Sequence, residues 1–293
     1  MRSGFIGLAG RPNVGKSTLT NALCGSHVAI VSDKPQTTRG RALGVVHGDD
    51  FQIVLVDLPG FQKPFDALTR RMQRSVDTSL GDVDAVLLVL DASEVSGGGD
   101  RFIAQQLAAT GAPVVIALNK VDRLKPAAIL EVIAGVSGLM AEYVALYPIS
   151  ARTGDGVPEL EAELAALLPE GPEYFEPGVD SDQPLERRIA ELVREQALAR
   201  TREEVPHAIA VMVEEIKEPR GKHAGRVTAT LIVEETSQQG ILVGKDGATV
   251  RAIGSAARPG IEELLGGKIY LDLRVKVRHN WRRDDALLER FGL

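Results

Sequence analysis

The chain has one cysteine, one tryptophan and only 4% aromatic residues among its 293. A single thiol, Cys24, permits no internal disulfide, which excludes a disulfide-stapled secreted scaffold and fits a reducing compartment. No apolar run approaches the ~20 residues of a membrane span; Ala85 to Leu90 has only the length of a core strand. Met1-Arg2-Ser3 leads directly into a strand-like stretch, so no signal peptide is expected. Internal repeats are lacking, and Gly97-Gly98-Gly99 reads as a surface loop. Positive charge is in deficit, with 34 Lys and Arg against 40 Asp and Glu and a formal net charge of −6. That total argues against a nucleic-acid partner, but its distribution argues for one. Between Ile216 and Arg283 stand 13 Lys/Arg and 7 Asp/Glu, a local +6 that leaves −12 for the rest. Such asymmetry indicates a basic face on a C-terminal module attached to an acidic body.

What the chain does contain is Gly10-Arg11-Pro12-Asn13-Val14-Gly15-Lys16-Ser17, followed by Thr18. The apolar run Phe5–Ala9 before it reads as a buried strand, and Thr18–Cys24 after it reads as a helix. Strand, G-x-x-x-x-G-K-S and helix form a phosphate-binding loop. The glycines let successive N–H groups turn inward around an anion, and the helix N-terminus adds its positive dipole end. Lys16 is expected on the β and γ phosphates and Ser17 on Mg²⁺.

Up to residue 168, short apolar runs (Ile53–Val56, Ala85–Leu90, Val114–Leu118, Leu146–Ile149) alternate with helical spacing such as Arg101–Thr110 and Val157–Leu168. This predicts an α/β domain over 1–168, a mostly parallel sheet with helices on both faces. Residues 169–184, rich in Pro, Gly and acid, read as a linker. Residues 185–293 read as a small α+β domain in the order α-β-β-α-α-β. Its helices are expected over Leu185–Glu204, from Ala248 and over Pro259–Leu265, and its strands over His207–Glu218, Val227–Glu235 and Ile269–Arg278.

Asn119-Lys120-Val121-Asp122 follows the strand Val114–Leu118. Guanine presents N1–H and its N2 amino group side by side, and the Asp122 carboxylate can accept from both. Adenine has no such paired donor edge. Asn119 would hold the loop, the Lys120 stem would lie over the base, and Ser150-Ala151 would offer a backbone N–H to guanine O6. Asp57-Leu58-Pro59-Gly60 supplies Asp57 for Mg²⁺ and the Gly60 N–H for the γ-phosphate. Within Pro35–Arg39, Thr38 is expected to bind Mg²⁺ and γ-phosphate only when GTP is present. After Gly60 stands Phe61, where Ras-like GTPases carry the glutamine that orients water, so slow intrinsic hydrolysis is expected. The Asn13 side-chain oxygen is a candidate ligand for a monovalent cation such as K⁺.

Gly244-Lys245-Asp246-Gly247 lies in the basic region ahead of a helix and matches the G-x-x-G loop of KH modules, which clamps about four nucleotides of single-stranded backbone. Lys245 and Arg251 add charge there, and Arg274, Lys276, Arg278, Arg282 and Arg283 extend the face. Taken together, G-R-P-N-V-G-K-S-T, K-P-Q-T-T-R, D-x-P-G, N-K-x-D, S-A, E-V-P-H (Glu204–His207) and L-D-L-x-V-K-V resemble the Era family, bacterial P-loop GTPases of the TrmE-Era-EngA-like superfamily with a C-terminal type II KH domain. The resemblance covers nearly the whole chain. It implies a cytoplasmic monomer using GTP/GDP and Mg²⁺, partly at the inner face of the cell membrane. It also implies a role in assembling the small (30S) ribosomal subunit, with the KH domain on the 3′ end of 16S rRNA and no DNA partner. Two residues depart from the family pattern: Leu58 replaces a threonine, and Asp246 puts a carboxylate at the loop tip. The rival reading is a signalling GTPase whose second domain binds a protein or a membrane surface. A GTPase serving tRNA modification ranks last, because Cys24 lies outside the added domain.

Overall fold

A computed structural model describes residues 1–32, 42–57, 83–94, 97–136, 138–140, 142–201 and 205–291. The chain divides into two compact units, one extending through Asp182 and the other beginning at Gln183. Among the described residues no helix is long and apolar enough to cross a membrane.

In the first unit, runs of Val, Ile and Leu form β1 (Arg2–Ala9), β2 (Ala42–His47), β3 (Phe51–Asp57), β4 (Ala85–Asp91), β5 (Val114–Asn119) and β6 (Ala145–Pro148). They make one sheet in the order β2-β3-β1-β4-β5-β6, parallel except where β2 meets β3. Every residue of β4 and β5 is buried, as near-continuous apolar strands require when both sheet faces are covered. The helices are α1 (Lys16–Cys24), α2 (Gly98–Ala108), α3 (Pro126–Val136) and α4 (Val157–Leu167). Leu19 and Leu23 of α1 join Leu160 and Leu164 of α4 in one core cluster, while Ile103 and Leu107 of α2 join Val136 of α3 in the other.

Neither β2 nor α3 was legible in the sequence. β2 carries a glycine and no clean alternation, and it exists through pairing with β3, as Val45 opposite Val54 shows. α3 is apolar on most sides, so its spacing carries little helical signal.

Residues 169–182, read above as linker, are bonded along the first unit. The Gln52 side chain, fully buried, accepts from the Tyr174 and Phe175 N–H groups at 2.8 and 3.1 Å and donates to the Phe175 carbonyl at 2.8 Å. Val45 N–H donates to the Asp180 carbonyl at 2.9 Å and Leu43 N–H to the Asp182 carboxylate at 3.0 Å. Pro, Gly and acid content reports the lack of regular secondary structure; it does not report a lack of contacts.

The second unit begins with α5 (Leu185–Ala199) and the single turn α6 (Val205–Ala208). β7 (Ala210–Lys217) and β8 (Gly225–Val233) pair antiparallel, and β9 (Ile269–Val277) lies parallel to β8. Between β8 and β9 come α7 (Thr236–Val243) and α8 (Ala248–Leu264), and α9 (Asp285–Arg290) closes the chain. The expected order α-β-β-α-α-β is extended by α6, which takes the start of the strand expected from His207, and by α9 at the end, and the two central helices differ from the reading. α8 runs unbroken through Pro259, because Ile253, Ala257 and Ile261 form one buried stripe whose packing outweighs the hydrogen bond that proline removes. α7 lies outside the expected helices, since Gly240 weakens its helical signal; Gln238 caps it by accepting from the Glu234 and Glu235 N–H groups at 2.9 and 3.0 Å.

Candidate functional site

Three loops meet at the C-terminal ends of β1, β4, β5 and β6, the end at which open α/β sheets hold ligands. The first joins β1 to α1. Gly15 there has φ +102°, and a Cβ on it would lie 2.3 Å from Asn119 Nδ2, so only glycine lets the second loop approach. The Lys16 side chain is buried, and its ammonium donates to the Gly10 and Arg11 carbonyls at 3.0 Å each. Ser17 and Thr18 stand in the first turn of α1, Val14 is buried, and Asn13, at φ +66°, is exposed beside the half-buried Pro12.

Asn119, also buried, braces the phosphate loop from β5. Its Nδ2 donates to the Val14 carbonyl at 2.9 Å, and its Oδ1 accepts the Ala151 N–H at 3.0 Å. That second bond changes one expectation. Of the two amides expected near guanine O6, Ala151 N–H donates to Asn119 and Ser150 N–H to the Asp155 carbonyl at 2.9 Å, so Ala151 joins the β6 loop to the β5 loop. Lys120, at φ +70°, reaches across to the Asn13 carbonyl at 2.6 Å and to the Asp91 carboxylate. Val121 N–H donates to the Ile149 carbonyl at 3.2 Å. Asp122 accepts from Ser150 Oγ at 2.7 Å and from the Arg152 guanidinium at 2.6 Å. Its carboxyl titrates below the usual range, chiefly through the Ser150 hydrogen bond and then through Arg152.

Asp57 ends β3 in register with Leu8 of β1, which brings it to the same sheet end as Ser17. A hydroxyl and a carboxylate are hard oxygen donors and fit Mg²⁺. Thr38, Leu58, Pro59, Gly60 and Phe61 lie outside the described residues.

Several functional side chains escaped sequence reasoning. Asp91, at the end of β4, is the anchor for Lys120; burial pulls its carboxyl upward, but hydrogen bonds from Lys120 and Ser93 outweigh that and hold it below the ordinary value. An acid closing a wholly apolar strand at the ligand end was the available signal. Asp100 at 2.8 Å and Glu94 at 3.0 Å clamp Arg11, which the phosphate-loop motif already names, and Gly99 leaves room for it. Arg152 belongs with Asp122, and nothing in the sequence joins those two.

The second unit presents its own glycine-hinged turn. Gly244 (φ +71°), Asp246 (φ +51°) and Gly247 (φ +76°) bend the chain between α7 and α8, with Lys245 and Asp246 exposed. A Cβ on Gly244 would fall 2.2 Å from Thr249 Oγ1, and one on Gly247 would fall 3.0 Å from the Arg251 guanidinium. Arg251 therefore stands over this turn. Arg278 lies just past β9, and its N–H donates to the Val233 carbonyl at 2.8 Å. Arg274 and Lys276 are exposed farther back along the strand, Arg274 about 13 Å from Arg278. Both are paired, Arg274 with Asp272 at 3.0 Å and Lys276 with Glu214 at 3.6 Å. Arg282 is likewise bound to Glu234.

A phosphate loop and an N-K-x-D loop locked together at one sheet end, followed by a G-x-x-G turn on a three-stranded α+β unit, define a P-loop GTPase carrying a KH domain. The 50S ribosome-binding GTPase family matches residues 5–120, and the KH domain family matches residues 204–282. The chain belongs to the GTPase Era family. GTPase Era of Mycobacterium tuberculosis is 47% identical over 294 residues, covering 99% of this chain and 98% of that protein. The Mycobacterium avium protein is 46% identical over 295 residues, with the same coverage. Two solved structures superpose with TM-score 0.94 at 37% identity, covering 100% of this chain and 99% of theirs. One is Era in complex with MgGDPNP and nucleotides 1506–1542 of 16S ribosomal RNA. The other is a tyrosine-to-alanine variant of Aquifex aeolicus Era bound to GDP and AlF4⁻.

Proposed function

We propose that this GTPase is a slow switch whose GTP-bound state holds single-stranded 16S rRNA through the KH unit during small-subunit assembly. The observation carrying this is the mutual bracing of the phosphate and guanine loops through Asn119 and Lys120, in one chain with an exposed G-x-x-G turn set in a basic region. In this reading Gly10–Thr18 surround the phosphates, Lys16 neutralises the β and γ groups, and Asp122 accepts the two guanine donors. Asn119, Lys120, Val121, Ser150 and Ala151 keep Asp122 and the phosphate loop in register. Ser17, Asp57 and Thr38 would hold Mg²⁺, which supplies charge neutralisation at the phosphate oxygens. The Gly60 N–H of the D-x-P-G motif would sense the γ-phosphate, with Leu58, Pro59 and Phe61 as its neighbours in sequence. Phe61 cannot orient water, so intrinsic turnover is slow, and the Asn13 oxygen supports a K⁺ dependence that equal rates in KCl and NaCl would refute.

Gly244, Lys245, Asp246, Gly247 and Arg251 form the RNA clamp, extended by Arg278. Arg274 and Lys276 contribute less, because each already has a carboxylate partner. The protein works as a cytoplasmic monomer on the 30S subunit, with any membrane contact peripheral.

Crosslinking to total cellular RNA tests the switch. Recovery of 16S 3′ ends with a GTP analogue but not with GDP is the expected result; equal recovery in both states would overturn it. The rival protein- or membrane-binding reading predicts no RNA recovery in either state. Asp122→Asn should shift base preference from guanine to xanthine.

A further inference from the structure

We propose that Arg152 is a specificity-positioning residue of the guanine site: it fixes the plane of the Asp122 carboxylate so that both oxygens meet the paired donors of the base. The proposal rests on reading Asp122 as the guanine acceptor. Ser150 Oγ donates to Oδ1 at 2.7 Å and Arg152 Nη2 to Oδ2 at 2.6 Å, so the two oxygens are held separately. A carboxylate gripped at one oxygen alone turns easily, because its terminal torsion has a broad minimum. Gripped at both, it cannot. Each carboxylate oxygen accepts about two hydrogen bonds, so these donors leave room on each oxygen for the base.

The loop that carries both donors is itself closed. Ser150 N–H donates to the Asp155 carbonyl at 2.9 Å, and Gly154 N–H returns to the Ser150 carbonyl at 2.8 Å. Thr153 N–H donates to Ser150 Oγ at 3.2 Å and Thr153 Oγ1 to the Asp155 carboxylate at 2.6 Å. Arg152 therefore projects from a fixed turn. Its side chain is 75% exposed while that of Asp122 is 10% exposed. An ion pair with one partner so exposed adds little to folding, which separates its effect on base recognition from any effect on stability.

Guanine needs both oxygens in place; hypoxanthine, which lacks the N2 amino group, needs only the one facing N1–H. Loss of positioning should therefore weaken GDP more than IDP. The experiment measures GDP and IDP affinities by calorimetry for the full chain, Arg152→Ala and Arg152→Lys, with Asp122→Asn tested against GDP and XDP alongside. Arg152→Ala should lose about five- to tenfold in GDP affinity and about twofold or less for IDP. Its melting temperature should move by about 2 °C or less. Arg152→Lys should recover part of the GDP preference, since an ammonium supplies the charge without the planar fork. Equal losses for GDP and IDP, or no loss of either, would overturn the proposal. If Asp122→Asn fails to gain XDP, the reading of Asp122 itself falls. A gain of XDP with an unchanged GDP to IDP ratio in Arg152→Ala defeats the positioning role alone.

Discussion

The phosphate loop and the G-x-x-G loop are both glycine-hinged turns opening a helix, with a lysine at each, yet they are built on opposite plans. At Gly15 the space denied to a Cβ belongs to Asn119, more than a hundred residues away; at Gly244 it belongs to Thr249 on the adjoining helix. Lys16 is buried and Lys245 is exposed. The phosphate loop is braced through Asn119, Lys120 and the Arg11–Asp100 clamp, whereas the G-x-x-G turn is formed by its own few residues. The physical lesson concerns the ligand. A compact anion of fixed shape calls for a preorganised cradle with long-range supports, while a polymer backbone calls for a protruding turn with accessible N–H groups and charge.

Removing the long-range brace should break this contrast most. Asn119→Ala leaves the Val14 carbonyl and the Ala151 N–H without their partner, at a cost of about 3 kcal/mol, and GDP binding should fall by about a hundredfold or more. Urea melts and calorimetry check both, and a loss below about 1 kcal/mol would show that the loop supports itself.

Next comes Asp91→Asn, which strips Lys120 of its anion and should cost about 2 kcal/mol. The Asp91 carboxyl titrates below its ordinary value, so its contribution is present above the unfolded-state value of roughly 3.9 and is lost as pH falls through the lower folded-state value. The stability gap between wild type and Asp91→Asn should therefore stay constant near neutrality and close in acid.

In the second unit Gly244→Ala should cost about 1–2 kcal/mol, because φ +71° and the nearby Thr249 hydroxyl both oppose a Cβ. GDP affinity should not change.

Lys245→Ala is the smallest in stability, within about 0.5 kcal/mol. It should still flatten the log–log salt dependence of RNA binding by about 0.7, the loss of one phosphate contact on a single strand. Asp246→Asn should act in the other direction by removing a carboxylate from the loop tip.

Much of the site was legible beforehand because it is local. Gly10–Ser17 and Gly244–Gly247 each encode a turn and its φ requirements within a few residues, and Asn119–Asp122 carries an acceptor pattern that matches the paired donors of guanine. The parallel sheet was legible because strands buried on both faces read as unbroken apolar runs. β2 was not, because an edge strand is defined by its partner; nor was the continuity of α8 through Pro259, which only the burial of Ile253, Ala257 and Ile261 decides.

By itself, then, the sequence determined the ligand class, the order of domains and the identity of the residues at each loop, since these follow from local spacing and side-chain chemistry. Tertiary structure alone decided that Ala151 braces Asn119, that Asp91 anchors Lys120, and that Arg152 aligns with Asp122. Each of these joins residues about 30 positions apart, brought together because parallel strands return every loop to the same end of the sheet.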